Sequence, residues 1–85
     1  MKNANLSIFV KPSVPFGVAQ AAMQCVNQAA EKHRITVEVY NVSPDGIFMF
    51  VSFDTTNTRY EFEQELGELF ALKHVRSAAT ITRPS

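Results

Sequence analysis

The sequence has very little cysteine and no excess of charge of either sign. Cys25 is its single cysteine, which excludes an internal disulfide and any metal site built on a cysteine cluster. A lone cysteine fits a reducing compartment. Eight basic residues balance eight acidic ones, so the formal net charge is zero. Domains that wrap nucleic acid through its phosphates usually carry a clear basic excess, and that mode of binding is not expected here. The opening Met1-Lys2-Asn3-Ala4-Asn5 is polar, with no apolar run behind it of the length a signal peptide or a membrane span needs. A soluble cytoplasmic protein with no membrane partner is expected. Catalytic groupings are missing too: there is no phosphate-cradling glycine loop, no nucleophile elbow and no metal-ligand spacing. No catalytic residue, cofactor or metal is expected.

The 85 residues suit one domain, with no linker, repeat or low-complexity stretch. Its extreme ends, 1–5 and 83–85, are expected to be flexible. Hydrophobic residues make up 46% of the chain, enough for a packed core. Leu6 to Lys11 alternates and is β-rich, a first strand. Pro12 and Pro15 stop it, and Ser13 is placed to cap a helix that begins near Pro15. From Phe16 to about His33, Ala19, Ala22, Met23, Val26 and Ala30 share one helical face, and Gln20, Gln24, Asn27 and Glu31 the other. Residues 35–42 alternate as a second strand. Pro44-Asp45-Gly46 reads as a hairpin turn. Ile47 to Phe53 is apolar at nearly every position, the pattern of a central strand. Thr58 and Glu61 have capping-box spacing, and Phe62, Leu66, Leu69 and Phe70 then form the apolar face of a second helix. Val75 to Thr82 reads as a last strand.

The order β-α-β-β-α-β predicts an α+β fold, the ferredoxin-like sandwich, with a four-stranded antiparallel sheet and two helices on one face. Strands one and three should lie side by side in the centre. Each feeds a crossover helix, and on that basis the two are expected to run parallel.

Two family resemblances follow from particular residues. Leu6 to Thr82 resembles a small ACT-type regulatory domain, through Pro15-Phe16-Gly17-Val18 at the first helix, Ile35-Thr36-Val37 after it, and Leu69 to Arg76 before the last strand. That likeness implies a regulatory domain that pairs through its sheet edges or faces, with an amino-acid sensor at the helix N-termini as a further implication. Ile8-Phe9-Val10 and Phe48 to Phe53 resemble the two strand motifs of an RNA-recognition motif, and Phe9, Phe48 and Phe50 match the positions on which that family stacks bases.

Strand alternation identifies the first candidate surface. With Leu6, Ile8, Val10, Met49, Val51 and Phe53 facing the helices, Phe9, Phe48 and Phe50 point the other way, joined by Tyr40. Such rings each bury roughly 150–250 Å² when covered. A protein partner or a second copy of the chain is the expected cover, with single-stranded RNA as the alternative. The second candidate is an anion site at the helix N-termini. Running alike, the crossovers would bring Lys11 and Ser13 beside Thr55, Thr56 and Thr58. They would also collect His33, Arg34, Lys73, His74 and Arg76 at the opposite end. The remaining features have structural explanations: Glu61, Glu63, Glu65 and Glu68 suit a solvated helix face, and Cys25 suits a packed one.

Overall fold

The computed structural model describes residues 4–43 and 46–83, with backbone alone for 39–43. The elements are β1 (Ala4–Val10), α1 (Phe16–His33), β2 (Val37–Ser43), β3 (Gly46–Phe53), α2 (Thr56–Leu72) and β4 (Ala79–Thr82). They form a ferredoxin-like βαββαβ sandwich whose sheet runs β2-β3-β1-β4. Strand alternation decides which face is buried. Leu6, Ile8, Val10, Met49, Val51 and Phe53 are at most 2% exposed, while the residues between them are half-buried or exposed. Ala22, Cys25, Val26, Ala29 and Ala30 of α1, with Phe62, Leu66 and Phe70 of α2, close the core over that face. Three of these five α1 residues are alanines.

Every strand pair is antiparallel, including β1 with β3. The expected parallel pairing of strands one and three is therefore wrong. A crossover returns the chain to the end where it began, so β2 runs with β1, and the hairpin then reverses direction into β3. The helices inherit this reversal: α1 starts beside the end of β1, and α2 starts at the opposite end of the sheet.

Several boundaries also shift for local reasons. Ile35 stays out of β2 because its N–H closes the end of α1 on the Ala30 carbonyl at 2.8 Å. Residues 75–78 are turn rather than strand, with the Val75 N–H on the Phe70 carbonyl at 2.9 Å and the Ala78 N–H on Val75 at 3.0 Å. Val75 is nonetheless buried, which is why its sequence neighbourhood looks like a strand. Ser13 does not cap α1, whose cap residue is Pro15 with no side-chain hydrogen bond. Thr58 does not cap α2 either. Its N–H donates to Thr55 Oγ1 at 3.1 Å, making Thr55 the cap. Ala4 and Asn5 belong to β1. Arg83 is held by Glu63, with donor–acceptor distances of 2.8 and 2.7 Å. The rest of both expected flexible segments, 1–3 and 84–85, lies outside the described residues. Pro44 and Asp45 of the expected turn lie outside the described residues.

Candidate functional site

The sheet face opposite the helices is built by pairing register. Phe9 lies directly opposite Phe48 on β3 and opposite Thr80 on β4. One row along, Glu38, Phe50, Ser7 and Thr82 cross the four strands in line. The Phe9 and Phe48 rings stack with centroids 4.6 Å apart and planes tilted by 37°. Phe48 is 42% exposed, while Phe9 and Phe50 are half-buried. Ser7, Glu38 and Thr80 put polar side chains beside the rings in the pairing rows.

Gly46 fixes where the Phe9 ring lies. A Cβ on Gly46 would fall 2.4 and 2.8 Å from two ring carbons of Phe9 and 2.8 Å from the Val10 carbonyl oxygen. Its φ of +130° is also one that side-chain-bearing residues rarely adopt. The ring thus occupies the space a side chain would fill, which holds it against the start of β3 and beside Phe48.

The fourth aromatic candidate, Tyr40, departs from simple alternation. The β2–β3 register shifts between Val39 and Asn41, and it is Asn41 that pairs with Phe48. Tyr40 falls at this irregularity, and its side chain lies outside the described residues.

The expected anion site does not assemble. Lys11 and Ser13 are at the end of the sheet where β1 finishes, and Thr55, Thr56 and Thr58 are at the other, because Val10 pairs with Ile47 and Ala4 with Phe53. The expected cationic end divides in the same way. His33 and Arg34 line a polar hollow of about 550 Å³ with Glu38, Asp54 and Thr58. Lys73, His74 and Arg76 instead lead into β4 beside Lys11, whose N–H reaches the Ala78 carbonyl at 2.9 Å.

Two charge clusters were not evident from the sequence. Glu65 meets Lys32 Nζ at 3.0 Å and His33 Nε2 at 3.6 Å, joining α2 to α1. The His33 ring also stands edge-on to Phe62, with centroids 6.0 Å apart. Glu63 meets Arg59 at 3.4 Å and Arg83 at 2.7 Å, tying α2 to the end of β4. The hydrogen bonds that Arg83 donates to Glu63, together with the carboxylate's charge, raise the Arg83 pKa. These two carboxylates therefore hold elements together, and of the four only Glu61 and Glu68 are exposed. The Arg59–Glu63 spacing of four residues was the one available signal. Cys25 is buried, and that burial pushes its thiol pKa up, with Lys73 partly offsetting the shift. Its Sγ lies 3.7 Å from the Leu69 carbonyl oxygen. No grouping of three or more histidine, cysteine or carboxylate side chains that could hold a metal ion occurs among the described residues.

The architecture defines the class, a ferredoxin-like α+β domain. No family model matches the chain and no curated protein matches it, so neither the ACT-type nor the RNA-recognition resemblance gains support from these comparisons.

Proposed function

We propose that this protein is a non-catalytic regulatory or inhibitory module that works by binding protein through its aromatic sheet face, with a second copy of itself as the first partner. The observation that carries this reading is the Phe9–Phe48 stack on the side the helices do not cover, with Phe48 42% exposed. Exposed aromatic surface rimmed by polar groups is the usual make-up of a protein interface. Glu38, the charged residue that the register sets beside Phe50, is acidic, which suits a protein patch better than a phosphate chain. Strands about 4.8 Å apart and about 3.3 Å per residue give a face of roughly 15–20 by 20–25 Å. That is small for a stable interface, so pairing should depend on concentration. The edge strands β2 and β4 offer unpaired backbone groups that can extend the contact.

Light scattering across a concentration series tests this. The parent should move from 9.5 kDa toward twice that mass, and Phe48→Ser should remain monomeric with its stability within about 1 kcal/mol of the parent. Phe53→Ala, on the inward face, should instead cost about 3–5 kcal/mol. A parent that stays monomeric throughout, or becomes dimeric only when a short RNA is added, removes self-pairing from the account.

A further inference from the structure

We propose that the end of the sandwich where α1 begins and α2 finishes docks on an anionic lipid bilayer, with Phe16 and Leu72 as apolar anchors and Lys11 and Lys73 meeting the headgroups. Antiparallel pairing is what brings these residues to one end. Val10 pairs with Ala79, and the Lys11 N–H reaches the Ala78 carbonyl at 2.9 Å, so the segments 11–15 and 73–78 are neighbours.

Two independent features coincide there. Phe16 and Leu72 are the most exposed large hydrophobic residues among those described, at 81% and 72%. The cations at the same end are also unengaged. Lys32, Arg59 and Arg83 all form ion pairs elsewhere, whereas none joins the exposed Lys11, Lys73 or Arg76 among the described residues. The first turn of α1 contains no acidic residue. Along α2 the nearest carboxylate is Glu68, one turn before the end, which with Glu63 lines a groove that Arg76 shares, so Lys11 and Lys73 are the cations clear of it. Among the described residues, these ion pairs lie away from this end, and Lys11 and Lys73 stand beside exposed hydrocarbon.

Chemistry selects the occupant. Lysine is depleted in protein–protein interfaces, and an aliphatic side chain such as Leu72 offers a nucleic acid no stacking surface. A bilayer surface uses both features, since anionic headgroups attract lysine and the headgroup–acyl boundary accepts phenylalanine and leucine. No helix among the described residues is long and apolar enough to cross a membrane, so the contact is with the surface. It is separate from the Phe9–Phe48 face, and the two can fail independently.

The test is flotation of the full chain with vesicles of three parts phosphatidylcholine to one part phosphatidylglycerol, and with phosphatidylcholine alone. The protein should float with the anionic vesicles only, and less at high salt. Lys11→Glu/Lys73→Glu should weaken binding by at least about tenfold, given about fivefold for each lysine neutralised. Phe16→Ser/Leu72→Ser should lose a similar factor, and Phe48→Ser should bind like the parent. Equal binding to neutral vesicles, no binding to anionic ones, or retention by the lysine variant overturns the proposal. So does binding of single-stranded RNA or polyglutamate through the same lysines with no vesicle binding.

Discussion

At Gly46, a φ of +130° and the nearby Phe9 ring oppose a side chain for two separate reasons. Gly46→Ala should cost about 2–3 kcal/mol, combining overpacking with a backbone that alanine tolerates poorly. In a Phe9→Ser background the cost should shrink without vanishing, because the Val10 carbonyl and the positive φ remain. Urea melts of the four proteins give the comparison, and an unchanged cost in the Phe9→Ser background would contradict the ring contact. Cys25 gives a pH signature. Its folded-state thiol pKa is raised chiefly by burial, so the unfolded chain ionises first as pH rises. The contribution is full below the ordinary thiol range, about 8.5, and is lost as pH rises through the raised folded value. Stability of the parent should therefore fall more than that of Cys25→Ala between neutral and strongly alkaline pH. An identical fall in both proteins would mean that the thiol is not shielded.

Among the elements, helix caps and strand starts were the least legible parts of the sequence. Periodicity revealed six segments and the alternation of β1 and β3, because burial imposes period two on a strand and 3.6 on a helix. It did not reveal which backbone groups pair. Val75 is buried yet turned back on Phe70, and Ile35 is apolar yet spent on closing α1. Tyr40 was placed by alternation that a register shift interrupts, and nothing in residues 35–42 marks that shift. Strand direction was missed through chain-tracing, and the candidate anion site dissolved with it. The rings at Phe9 and Phe48 were legible because side-chain parity does not depend on strand direction. The cap of α2 separates the two assignments experimentally. Thr55→Ala should cost about 1 kcal/mol, whereas Thr58→Ala should cost clearly less, since its backbone N–H is the donor and survives the change. Equal losses in thermal melts would contradict Thr55 as the cap.

For the whole molecule, the division of labour is between a closed side and an open one. Two helices seal one face of the sheet with a continuous apolar core, and ion pairs at Glu63 and Glu65 tie the helices to each other and to β4. The other face keeps its aromatic stack. The two helices lie on the sealed face and leave Phe48 42% exposed on the other, and the proposed cover is a second copy of the chain. The most direct measurement of whether a second copy supplies it is an isotope-filtered NOE experiment on a mixture of labelled and unlabelled protein, at a concentration high enough to favour pairing. The account predicts intermolecular cross-peaks from the ring protons of Phe9 and Phe48. Intermolecular cross-peaks confined to helix residues such as Met23, with the Phe9 and Phe48 rings showing contacts only within their own chain, would contradict it.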